Sequence, residues 1–322
     1  MVSSHFDAGY LDQITHKLSE IEPFSGYVPE GFNVSSSGVI TRQDFFSRYT
    51  NDEIKPNREV KTLHPSLVSG EIFFELGSII SSIESAKDEF VMLELGGGWG
   101  ARSVEALTLV KKSNLRHKMT IVEAMPQHID LIYQHLSDNK FSPSDVNVIN
   151  AAVSATNRPQ YFPVAPGIFG ASVYNSVEEF VTQMPPDRAQ KALINLIKTG
   201  HMDFMQEFQT SFGVAMRDWA VVSSLTLNQL LYSYDCVDLC DIDIQSAEIE
   251  VVPDALNALN SRVKRLHLVT HSESIHEKLL QFFSAESGWE IVASFPPHAA
   301  IDLRGIKFFS NDGLICAKNK KF

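Results

Sequence analysis

The sequence predicts an α/β fold built on a doubly wound, mostly parallel sheet, and three observations carry that expectation. From Glu89 onward, short apolar runs alternate with stretches of helical spacing, the pattern of strands joined by crossover helices. The first of those runs feeds directly into a glycine-rich turn, Gly96-Gly97-Gly98-Trp99-Gly100, and then into a helical stretch. The composition is that of a globular chain, 44% hydrophobic and 20% charged over 322 residues, which leaves enough apolar material for a large core.

Taken in order, residues 1–75 read as a mainly helical N-terminal extension. Leu11, Ile14, Leu18 and Ile21 recur at helical spacing, Pro23 to Gly38 is rich in Gly, Pro and Ser, and Phe45, Phe46 and Tyr49 can share an apolar face. A helical pattern runs from Pro65 to about Ile83, leading into a main domain over 76–322. Phe90–Leu95 reads as the first strand and 101–111 as a helix; Met119–Glu123 and 127–137 repeat the unit, and Val146–Asn150 is a third strand. Residues 156–175 read as a loop, followed by a helical insert over about 176–215 that opens at Pro185-Pro186-Asp187. Its Met202, Met205, Phe208 and Phe212 form a soft apolar face that suits further core as well as a lid or a homodimer contact. Cys236–Asp243 is the fourth strand, 248–259 a helix, Arg265–Val269 the fifth strand and 275–283 a helix. Trp289–Ser294 and Gly313–Lys318 have only a loop between them and are expected to pair antiparallel.

The formal net charge of −12, with only short basic clusters such as Lys111-Lys112 and Lys318–Lys321, argues against nucleic acid or an anionic membrane as the main partner. Three unpaired cysteines argue against a disulfide framework or a zinc site. The N-terminus lacks a basic start and an apolar stretch, and no apolar run approaches the ~20 residues of a membrane span, so a cytoplasmic protein is expected.

The chemistry centres on Glu94-Leu95-Gly96-Gly97-Gly98-Trp99-Gly100. Strand, glycine turn and helix make a nucleotide cradle, since glycines let backbone approach a ligand and the helix start offers free N–H groups. Gly96-x-Gly98-x-x-Ala101 also fits a dinucleotide fingerprint, which keeps an NAD(P) oxidoreductase open. Glu94 tilts the choice, because an acid there can hold the ammonium of a methionine moiety. Glu123 ends the second strand before Ala124 and Met125, where a carboxylate can accept both ribose hydroxyls. Asn150 and Ala151 end the third strand and suit an adenine edge, with Ala151 or Met125 packing on the ring. Asp241 and Asp243 alternate onto one face at the carboxyl edge of the fourth strand, where two close carboxylates need a sulfonium, a divalent metal, a Lys or a proton to neutralise them. His271 follows the fifth strand and can act as general base at neutral pH, with His276 a second histidine nearby.

These pieces together resemble the FkbM-type S-adenosylmethionine-dependent methyltransferases. The resemblance runs from about Phe90 to Lys318 outside the insert. Besides the glycine turn it rests on Val122-Glu-Ala-Met-Pro, Asn150-Ala-Ala-Val-Ser, Leu225-Thr-Leu-Asn-Gln-Leu-Leu, the run from Val237 to Val251, Arg265-Leu-His-Leu-Val-Thr-His-Ser and Asp312-Gly-Leu-Ile-Cys-Ala-Lys-Asn. It implies a Rossmann-like, seven-stranded class I methyltransferase sheet. Gly96, Gly98 and Gly100, with Trp99, would line the methionine end of S-adenosylmethionine, Glu123 the ribose, and Asp241 a place near the methyl. The family often has Lys where this chain has Asp241, and Glu-Gly where it has Gln245-Ser246. The expected reaction is O-methylation of a glycoside or natural product, with N-methylation of a peptide or amide and a non-catalytic binding module as alternatives. Asp241 or His271 is the expected base. A divalent metal such as Mg held by Asp241 and Asp243 is the other route to an activated hydroxyl.

Overall fold

A computed structural model describes residues 4–45, 54–164, 218–283 and 288–322. Eight strands form the central sheet: β1 (His5–Phe6), β2 (Glu89–Leu95), β3 (Arg116–Glu123), β4 (Val146–Asn150), β5 (Val237–Ile242), β6 (Val263–Thr270), β7 (Trp289–Phe295) and β8 (Gly313–Asn319). Their order across the sheet is β1-β7-β8-β6-β5-β2-β3-β4. Strands β2 to β6 pair parallel, while β8 lies antiparallel between β6 and β7. The expected antiparallel pairing of the last two strands is therefore present. The seven expected strands are joined by an eighth, because β1 pairs antiparallel with β7 and covers that edge.

The strands were legible because most are buried on both faces, as in the unbroken burial of β5. Alternation then divides the core. Met92, Met119 and Leu239 face one layer, with α1 (Ala8–Glu20), α2 (Glu71–Ser85), α3 (Ala101–Ser113) and α4 (Pro126–Asp138). Leu93, Leu95, Cys240 and Ile242 face the other, with α5 (Leu227–Tyr232), α6 (Glu248–Asp254), α7 (Leu256–Arg262) and α8 (Glu273–Phe282).

Three expectations need correction. Among the described residues of 1–75 there are one full α-helix, the start of a second and two 3-10 turns, Gln43–Phe45 and Leu67–Ser69, beside β1 and two short antiparallel pairs, Ser25–Val28 with Arg58–Lys61 and Phe32–Val34 with Ile40–Arg42. The helical stretch expected over 248–259 is two helices, with the break at Ala255, two residues after Pro253. The loop expected between the last two strands contains a hairpin, Ala299–Leu303 with Ile306–Ser310. Arg304 and Gly305, at φ 55° and 79°, form its two-residue turn with the twist that a hairpin prefers. Gln160–Val164 pairs with Asp218–Val222. The expected insert at 176–215, its lid or dimer role, and the Phe46 and Tyr49 face lie outside the described residues.

Candidate functional site

The strand order reverses between β2 and β5, and open α/β sheets present their ligand crevice at the carboxyl ends beside such a switch. The glycine turn leaves β2 there. Gly96 and Gly97 N–H donate to the Val122 carbonyl at 2.9 and 3.1 Å. Gly96 has φ 83°, and a Cβ on it would lie 1.7 Å from the Asp243 carbonyl oxygen, so only glycine lets β2 and β5 end this close together. Helix α3 follows Gly100 without a side-chain cap from that residue. Glu94 supplies the cap from inside the sheet: its carboxylate accepts from Arg102 N–H at 3.3 Å and Ser103 N–H at 3.0 Å. The side chain expected to face a methionine ammonium thus points at the helix start. Burial pushes the Glu94 carboxyl up, while Ser103 and Arg102 act the other way.

Glu123 ties this turn to its neighbours. One oxygen accepts from Gly98 N–H at 2.7 Å; the other accepts from Met125 N–H at 2.7 Å and lies 3.2 Å from His128 Nδ1. The Trp99 carbonyl accepts from His135 Nδ1 at 3.1 Å, and the indole packs 6.2 Å from the Phe45 ring. Asn150, exposed at the end of β4, donates its amide to the Glu123 and Ala124 carbonyls at 2.9 and 3.0 Å, which leaves its oxygen for a ligand. Met125 and Ala151 are buried at 1% and 3% exposure, so neither presents the free apolar face expected for a stacked ring.

Beside the turn lies a cluster of buried charge. Arg102, in the first turn of α3, donates to Glu75 of α2 at 2.8 Å and sits 3.3 Å from Asp241 Oδ2 and 3.5 Å from Asp243 Oδ2. This guanidinium is the neutraliser that the sequence reading missed; only the fold brings it to the aspartates. Asp241 is 1% exposed, and burial raises its carboxyl well above the usual range despite Arg102. Burial acts to raise Asp243 as well, but His271 and Arg102 outweigh it and hold that carboxyl low.

The two aspartates share a face, as alternation predicts, yet have different partners. Asp243 Oδ1 lies 3.2 Å from His271 Nε2 and accepts from Gln245 Nε2 at 3.1 Å. On its other side the His271 ring places Nδ1 3.3 Å from Glu248 Oε1. Gln245 and Ser246, both left-handed at φ 53° and 80°, turn the chain back so that Glu248 accepts from Ile244 N–H at 2.9 Å. Burial lowers the His271 pKa, but the flanking carboxylates outweigh it and push the ring up to about 10. A ring so placed favours its protonated form, which counts against the general-base role expected for His271. His276 is a core histidine, fully buried and 3.0 Å from the Thr270 hydroxyl, with its pKa lowered to about 4 by burial.

The metal expectation shifts for the same geometric reason. Asp241 is engaged by Arg102, and among the described residues the group converging within 4.8 Å is Asp243, Glu248 and His271. No helix among the described residues is long and apolar enough to cross a membrane.

A curated relative carries a methyltransferase name. Over 226 residues the chain is 24% identical to the "Putative methyltransferase" of Jannaschia sp. (strain CCS1), spanning 69% of this chain and 70% of that one. No protein-family profile matches the chain. Among solved structures, it resembles methyltransferase FkbM from Methylobacillus flagellatus at 9% identity and TM-score 0.40, over 72% of this chain and 45% of that one. The precorrin-6y C5,15-methyltransferase of Geobacter metallireducens matches at 12% identity and TM-score 0.37, over 78% of this chain and 89% of that one.

Proposed function

We propose that the chain is an S-adenosylmethionine-dependent methyltransferase of FkbM type that acts on a hydroxyl of a glycoside or another small natural product. The observation that carries the cofactor reading is the placement of the glycine turn. It lies at the sheet's switch point, held by Glu94 and Glu123 and flanked by the acids around Arg102. S-adenosylmethionine brings a sulfonium and an ammonium against a single carboxylate, and an acid-rich crevice favours that cation over the neutral thioether left after transfer. A dinucleotide would bring a pyrophosphate to the same acids, which disfavours the NAD(P) reading. The name of the Jannaschia relative points the same way.

In the proposed reaction the acceptor oxygen attacks the methyl carbon in line with the C–S bond. The bonding pair leaves to sulfur, and the hydroxyl proton passes to solvent. Alignment of the two reactants supplies much of the rate. Asp243 and His271 line the crevice edge and are assigned to the acceptor. Asp241 acts through Arg102 as a positioning residue.

Calorimetry with S-adenosylmethionine, S-adenosylhomocysteine and NAD tests the cofactor. The first two should bind, and Glu123→Gln should weaken them roughly 10- to 100-fold, the value of a charge-assisted contact. Binding of NAD alone would overturn the reading. Methyl-labelled cofactor with glycosides, peptides and RNA offered in parallel then identifies the acceptor, and label in peptide or RNA alone would refute the hydroxyl assignment.

A further inference from the structure

We propose that Asp243, Glu248 and His271 form a site for a first-row divalent cation at the acceptor edge of the crevice. Its catalytic role rests on the methyltransferase reading above; the site itself stands on geometry. Three separate segments supply the groups: the residue after β5, the first turn of α6 and the residue after β6. One ligand atom from each lies within 4.8 Å of the others. Donors held at about 2.0–2.2 Å in tetrahedral or octahedral geometry lie roughly 2.9–3.6 Å apart. The His271–carboxylate contacts use opposite ring nitrogens, Nε2 at 3.2 Å from Asp243 and Nδ1 at 3.3 Å from Glu248, so a cation would take one nitrogen with its carboxylate already at that spacing and draw the second carboxylate in. Both ring nitrogens are close to carboxylate oxygen, and neither makes a hydrogen bond among the described residues.

A second observation points to a ligand. Glu248 is fully buried, and its Oε2 has no hydrogen-bond partner among the described residues. A buried carboxylate oxygen left bare is costly, and proteins rarely leave one so without a reason. Its other oxygen is anchored by Ile244 N–H, which keeps the carboxylate turned toward His271.

Two carboxylates and one imidazole suit Mn2+, Fe2+ or Zn2+ better than Mg2+, which prefers oxygen and retained water. Three protein ligands leave coordination positions open. A hydroxyl oxygen bound there loses its proton to solvent more readily, and the cation stabilises that oxygen as it attacks the methyl carbon. Binding the cation requires the neutral His271 ring, so any proton that the ring carries leaves to solvent as the cation enters.

The test uses the full chain, stripped of metal and titrated with Mn2+, with free Mn2+ followed by electron paramagnetic resonance and Zn2+ as competitor. One Mn2+ should bind per chain. Asp243→Asn, Glu248→Gln and His271→Ala should each weaken it at least roughly tenfold, as loss of a metal-site group does, whereas Glu71→Gln should not. Should the variants fold poorly, the wild-type chain gives an independent reading: Mn2+ should broaden the His271 ring signals selectively in a spectrum of 15N-histidine-labelled protein. No binding of Mn2+ or Zn2+ at millimolar concentration, or unchanged binding in all three folded variants, would overturn the site. S-adenosylhomocysteine binding is measured on the same metal-free samples. Cofactor without metal sinks the cation site alone; metal without cofactor sinks the methyltransferase reading and leaves the cation site standing.

Discussion

Replacing Arg102 with methionine should destabilise the protein sharply, because that one guanidinium sits among three acids, Glu75, Asp241 and Asp243, of which Asp243 has His271 besides. It lies 2.8 Å from Glu75, 3.3 Å from Asp241 and 3.5 Å from Asp243, within a buried cluster. Methionine keeps much of the apolar stem and removes the charge, so the loss is electrostatic rather than steric. Removing one partner of a buried pair costs roughly 3–5 kcal/mol, because the other is left uncompensated. Unfolding entropy of about 2.1 cal/mol/K per residue gives this 322-residue chain roughly 0.7 kcal/mol per degree. The expected fall in Tm is therefore about 4–7 °C. Thermal melts followed by circular dichroism, with calorimetry to check that the transition is two-state, measure it. The double variants Arg102→Met/Asp241→Asn and Arg102→Met/Glu75→Gln should each recover part of the loss, since each removes an acid that the single variant strands. A single variant melting within about 1 °C of wild type would refute the account. So would double variants that melt no higher than Arg102→Met.

Two further predictions follow from the same structure. Gly96→Ala should weaken S-adenosylmethionine at least roughly tenfold while far-UV dichroism stays native, because φ of 83° costs about 1–2 kcal/mol for alanine and the new Cβ meets the Asp243 carbonyl oxygen at 1.7 Å. Cofactor affinity within about twofold of wild type would show that the turn tolerates a side chain and that its backbone is not the cradle. Burial lowers the His135 pKa from 6.5 to about 4, so the unfolded chain takes up a proton there before the folded one does. Its contribution is neutral above pH 6.5 and becomes destabilising as pH falls toward 4, by about 3 kcal/mol at the limit. Urea unfolding at pH 7.5 and 5 should show a smaller pH effect in His135→Gln than in wild type, and equal effects in the two proteins would contradict this.

Much of the architecture was legible in the amino-acid pattern. Strands such as Val237–Ile242 are buried on both faces and stand out as apolar runs, and the glycine turn marks its own backbone geometry. The hairpin at Arg304-Gly305 was missed although its signal was present, since Ala299 to Ser310 alternates around a turn-forming dipeptide. β1 was not legible, because two residues, His5 and Phe6, make no pattern; their pairing to Ser294 and Ala293 exists only once that edge of the sheet is built. The partner of Glu94 was not legible: chemistry alone suggests a ligand ammonium, whereas in the fold the N–H groups of Arg102 and Ser103 are closer at hand.

By itself the sequence determined the layered α/β class, the positions of most central strands and the turn that must be glycine, because each depends on local periodicity or on the conformations open to one residue. Only the tertiary structure decided which charges meet. It gave Asp241 to Arg102, and it set His271 between Asp243 and Glu248. Those groups come from segments far apart in the chain, and the strength of a charge pair depends on distance and on exclusion of water, both of which are properties of the folded interior.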